Sequence, residues 1–458
     1  MRSRALKLLA AVLALACASA ADSAWSHANG RAPQSMAVRF QPDGTETILV
    51  PVTFGLLISS DGGESFRWVC ETAIGYTGMF DPDYAVDGDG ALWANSDAGL
   101  RVSRDGGCSW ATVGTAELGT NPFISEVEIG PDGRMWIATA NMTRANDVHV
   151  SGDGVSFPPA NLALENGWWS SVRTTAADPD RIYASGLRQA EGKDPRVALL
   201  RRSIDGGATW EELPVDGFAF GQRPDLFVVG VSPTDANLVF ARTALSVENR
   251  GDILYRSTDG GATWAEVARF IDLLSAFHVR PDGQTVLAGS VRACPEDITD
   301  PTDAGVPTHG CLRISRDGGE TWQRAAQEPR LACIGERSDG VLFGCGADFP
   351  PDNFAIGRSS DGETWEPVLR FQDTMGPLEC EPGTAQEECA AVQWVFQCEP
   401  IGACPRMDAG AMAQDAGSGD DEGGGDGGCC RVGSGDAGWV PGLVVVLFAL
   451  AWSRARRR

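Results

Sequence analysis

One octapeptide pattern, Ser-x-Asp-Gly-Gly-x-Thr-Trp, returns seven times along the 458 residues and restricts the chain to an array of repeated modules. The full copies end at Trp210, Trp264 and Trp322 (SIDGGATW, STDGGATW, SRDGGETW); looser ones are SSDGGESF from Ser59, SRDGGCSW from Ser103, SGDGVSF from Ser151 and SSDGETW from Ser359. Asp-Gly-Gly supplies the positive φ angles of a tight turn, and the Asp side chain can bond neighbouring backbone amides. Asp61, Asp105, Asp153, Asp205, Asp259, Asp317 and Asp361 are therefore read as turn-formers rather than catalytic acids. The closing Trp or Phe opens the next strand and gives each module something to bury against a neighbour.

A second repeat runs ahead of each box, an Asp-Gly turn between two apolar strands, as in Val38-Arg-Phe-Gln-Pro-Asp43-Gly44, Ile129-Gly-Pro-Asp132-Gly133 and Val279-Arg-Pro-Asp282-Gly283. Each module thus reads strand, turn, strand, loop, strand, box, strand. Box aspartates are 44 to 58 residues apart, which suits four short strands. The variation falls in the loop between the second and third strands, so that face of the array is the diversified one and the expected place for binding.

These segments resemble the Asp-box, or BNR, repeats of sialidases, sortilin-type receptor domains and xyloglucan-degrading enzymes. The resemblance covers residues 31–375 and implies an all-β fold, a single seven-bladed β-propeller of four-stranded antiparallel blades with one box per blade, between the third and fourth strands. It does not choose a function.

The ends of the chain read as processing signals. Arg2, Arg4 and Lys7 precede an apolar run and an Ala18-Ser-Ala20 cleavage pattern, so residues 1–20 are expected to be an export signal, with Cys17 in an imperfect lipobox as the lipoprotein alternative. Residues 376–405 form a Cys-rich appendage, a candidate clasp on the last blade. Residues 406–428 are an acidic, Gly-rich tether. Residues 429–458 carry Cys429 and Cys430, a short apolar run and an Arg cluster, an order that resembles the myxobacterial C-terminal sorting tail and implies cleavage and surface anchoring. The expectation is an exported, monomeric protein that meets membrane only through this tail.

Ten further cysteines fit an oxidising compartment. Cys294 with Cys311 and Cys333 with Cys345 are local candidates for pairing, and Cys70 and Cys108 sit on adjacent blades. With 37 basic against 62 acidic residues, nucleic acid is not an expected partner. No zinc spacing, Walker loop or nucleophile elbow occurs, and Asp87-Gly-Asp89-Gly90 lacks the remaining oxygens of a calcium loop, so no metal or cofactor is expected.

For function, the sialidase pattern is broken at Ala37-Val-Arg39-Phe-Gln-Pro42, and no catalytic residue can be carried over. The candidate ligand-binding residues are Tyr76, Arg144, Trp168, Trp169 and Arg188, with inter-blade packing or channel lining as the alternative for the Trp pair. The expected role is non-catalytic binding of an extracellular protein or polysaccharide. The alternative is a glycoside hydrolase, sialidase-like or xyloglucanase-like, which clustered carboxylates in a central channel would favour.

Overall fold

The structure is a computed structural model that describes residues 31–404 except 43, 79, 190–195, 222, 245–250 and 298–308. The expected export signal, tether and anchor, with Cys429 and Cys430, lie outside the described residues.

Seven antiparallel sheets follow one another along the chain, and the first strands of successive sheets touch each other around an axis. This is a seven-bladed propeller. The inner strands are Arg39–Phe40, Tyr84–Val86, Ile124–Ile129, Gly167–Arg173, Leu226–Val231, Ala276–Val279 and Cys333–Glu336. Six sheets have four strands in simple meander order; in blade 3 the fourth is reduced to isolated bridges, His149 with Pro159 and Asn146 with Leu164. The second and third strands are mostly buried along their length, as in Ile48–Val52 and Gly55–Ser59, because both faces of a blade pack against neighbours.

In all seven boxes the serine hydroxyl donates to the Asp carboxylate. Ser257 Oγ donates to Asp259 Oδ1 at 2.8 Å and accepts from Gly261 N–H, while Thr263 gives its amide and its hydroxyl to the Asp259 carboxylate. The Thr263 hydrogen bonds hold Asp259 down to about 2. The paired glycines answer two separate demands. Gly318 and Gly319 both have positive φ, and a Cβ on Gly319 would lie 2.4 Å from the Phe240 ring of the preceding blade.

The ring closes without strand exchange, since blade 1 and blade 7 are each built from one continuous segment. Their seam is held by Phe40 against Phe343, by Arg337 donating to Gly62 O at 2.9 Å, and by Ser35 Oγ donating to Ala355 O. Beyond blade 7 the chain crosses back to blade 1, not to the last blade. Met375 N–H donates to Phe66 O, Gly376 O accepts from Trp68 N–H and Leu378 N–H donates to Trp68 O, which adds a short parallel strand to the outer edge. Helix α1 (Glu71–Ile74) leads out of blade 1, and helix α2 (Ala385–Ile401) lies beside it. On α2 the fully buried Gln386 replaces a strand partner: its Nε2 donates to Trp68 O and its Oε1 accepts from Cys70 N–H, each at 2.8 Å.

Five disulfides fix this arrangement. Cys294–Cys311 and Cys333–Cys345 pair locally, and Cys398–Cys404 closes the end of α2. Cys70 and Cys108 do not pair with each other. They take Cys389 and Cys380, so the C-terminal segment is bolted to blades 1 and 2.

Candidate functional site

A cavity of about 1140 Å³ opens on the face opposite the Asp boxes. Its wall comes from the segment before blade 1 (Ala32 to Ala37), the connections around Leu273 and Arg330, and the loop carrying Phe349 between the second and third strands of blade 7. Phe371, Pro400 and Ile401 of the C-terminal segment complete it, and Arg39 and Arg173 on two inner strands line its channel side.

Those two arginines hold a group of channel carboxylates. Arg39 Nη2 lies 2.9 Å from Asp83 Oδ1, and Arg173 Nη1 contacts Glu126 and lies 4.0 Å from Glu128. Glu126 and Glu128 share one face of an inner strand, so their positions are about 7 Å apart along it. Burial pushes Glu126 up to about 7, against the pull of Arg173, and raises Glu128 as well. Both stay in touch with the channel, at 14% and 28% side-chain exposure. On the other side of the ring, His278 Nε2 lies 2.8 Å from Glu336 Oε2 and Arg280 binds the same carboxylate. Burial acts against Glu336, but these two partners hold it below its usual range.

The acids also join blades. Asp83 Oδ2 accepts from Val127 N–H at 3.0 Å, and Glu126 Oε2 accepts from Val172 N–H at 2.9 Å; Ser171 Oγ accepts from Val228 N–H at 3.1 Å at the next junction. An acceptor on or just before the inner strand thus takes a backbone amide of the following blade three times running.

The five residues singled out from sequence are scattered, and none lines the cavity. Tyr76 is buried beside Phe80, with its hydroxyl enclosed. Trp169 is also buried, its Nε1 donating to Leu162 O within the core between blades 3 and 4, just before a bulge between Trp169 and Ser171. Trp168 is half-buried under Arg196, whose Cζ is 5.6 Å from its ring. Arg144 donates to Asn141 on an exposed loop, and Arg188 is the exposed last residue of the second strand of blade 4. What sequence reasoning missed was Glu126 and Glu128, alternate charges in a first strand whose neighbours are apolar. That pattern marks a strand with one face on a polar channel.

A family model for the BNR/Asp-box repeat matches residues 313–324. Xyloglucanase Xgh74A of Acetivibrio thermocellus is 26% identical over 177 residues, 35% of this chain but 20% of its own length. The xyloglucanase of Hypocrea jecorina is 30% identical over 123 residues, 24% of this chain and 13% of its own. This chain therefore matches a fifth or less of these relatives. Among solved structures, the GH74 xyloglucanase from Xanthomonas campestris superposes with a TM-score of 0.41 at 18% identity, covering 73% of this chain and 66% of that one.

Proposed function

We propose that the protein is an exported, glycan-directed propeller with a glycoside hydrolase site in its channel. The observation that carries the reading is the pair Glu126 and Glu128, two part-buried carboxylates on one strand face that converge on Arg173, the paired acids that glycoside hydrolysis needs. Glu126, at about 7, holds a proton at mildly acidic pH and is the candidate general acid. Glu128 is the candidate base. The partial matches to xyloglucanases support the substrate class, and five disulfides support export.

A second reading, non-catalytic glycan binding, is favoured by one observation: both Glu126 oxygens already have partners, Arg173 and the Val172 amide. A hydrolysis screen and a retention assay run on the same neutral polysaccharides separate the two. Release of reducing sugar by the wild type and its loss in Glu126→Gln support the hydrolase. Retention without release, unchanged in Glu126→Gln, assigns the protein to binding, and no retention on any glycan overturns both.

A further inference from the structure

We propose that Phe349 is a rigid stacking platform for an uncharged sugar ring at the rim of the cavity, an assignment that rests on the glycan reading above. Among the described residues, aromatic side chains are mostly buried, yet Phe349 is 54% exposed on the cavity wall. Its exposure is not slackness. Arg330 lies with Cζ 4.3 Å from the ring centroid, and Arg330 is itself 7% exposed and paired with the buried Asp352 at 3.1 Å.

The loop around the ring is cross-braced. Arg330 donates to the carbonyls of Phe349 and Pro350, Asn353 N–H donates to Phe349 O, and Asp348 accepts from Arg370 and from Phe371 N–H. A guanidinium backs one ring face, so the exposure belongs to the other. A ring held in this way loses little freedom when a ligand covers it, the condition under which stacking contributes most to affinity.

The chemistry of the wall selects the ligand. Five arginines line the cavity, and each is already matched by acids: Arg39 by Asp83, Arg173 by Glu126 and Glu128, Arg242 by Asp252, Arg292 by Asp272 and Arg330 by Asp352. The wall is rich in donors and acceptors without a surplus cation to receive a carboxylate, sulfate or phosphate. Met36 and Leu273, 37% and 48% exposed, place apolar surface on the same wall. Apolar surface beside balanced hydrogen-bonding pairs fits a ring with a C–H face and hydroxyl edges.

The test measures binding of full-length wild type, Phe349→Ala and Phe349→Trp to neutral β-glucan and xyloglucan oligosaccharides, with polygalacturonate as the charged comparator. The expected result is roughly tenfold weaker binding for Phe349→Ala and recovery in Phe349→Trp, with little salt dependence. A wild type that binds these neutral glycans while Phe349→Ala binds equally well overturns the platform alone. A wild type that prefers polygalacturonate overturns the charge argument, and a wild type that binds no glycan overturns the underlying reading. Circular dichroism and melting of Phe349→Ala, expected to match wild type for a 54% exposed ring, separate lost contact from lost fold.

Discussion

Removing the two long-range disulfides should destabilise the ring more than the sum of removing each. Cys70–Cys389 spans 319 residues and Cys108–Cys380 spans 272, so the second lies inside the loop closed by the first. In the chain-entropy view, closing the outer loop restricts the unfolded chain by about 6 kcal/mol, and closing the residual loop of about 47 residues (Cys70 to Cys108 and Cys380 to Cys389) adds about 4. While one bond remains, losing the other costs only that smaller amount. Cys70→Ser/Cys389→Ser and Cys108→Ser/Cys380→Ser should therefore each lose about 4 kcal/mol, and the fourfold variant about 10. With unfolding entropy scaling with size, the melting point should fall by about 5 °C for each pair and about 13 °C for both. Differential scanning calorimetry at fixed protein concentration reads this directly. A fourfold variant that melts no lower than either paired variant would refute the reasoning, because the two bonds would then not be restricting one nested loop.

Other expectations follow from the same geometry. Glu126 binds a proton more tightly folded than unfolded, so its contribution to stability should decline as pH rises from about 4.5 to about 7, and Glu126→Gln should lack that decline in urea titrations. If the hydrolase reading holds, activity should fall on the alkaline side near the same pH. The Asp-box carboxylates are shifted the other way, with Asp61 and Asp259 held to about 2, so their stabilisation is complete above about pH 4 and is lost as pH falls toward 2; Asp259→Asn should flatten part of that acid limb. Trp169→Ala should cost about 3–5 kcal/mol in chemical denaturation, whereas Trp168→Ala should cost much less, and equal losses would contradict the placement of only one of them in the inter-blade core.

The blade count and strand order were legible because turn chemistry is local: Ser, Asp, Gly and Thr of one box bond within five residues of each other. The cavity was not, because its wall joins Met36, Leu273, Phe349 and Ile401, residues far apart in the chain that meet only when the ring closes. Trp168 and Trp169 show the limit in small: a doublet on a strand sends one ring each way, and the strand's register within the closed ring decides which is buried. Local pairing of Cys294 with Cys311 followed from loop length, whereas the partners of Cys70 and Cys108 depend on a segment that crosses the seam.

Because every blade is drawn from one uninterrupted stretch, the non-modular element among the described residues is the fastening of the C-terminal segment to blades 1 and 2. A gene that gained or lost an internal repeat would still end on a blade adjacent to blade 1, and Cys380 and Cys389 would still reach blades 2 and 1. The fastening marks where the circle begins without dictating how many units it holds. Copy number in such a chain is free to change by duplication in the middle, while its two ends must descend together.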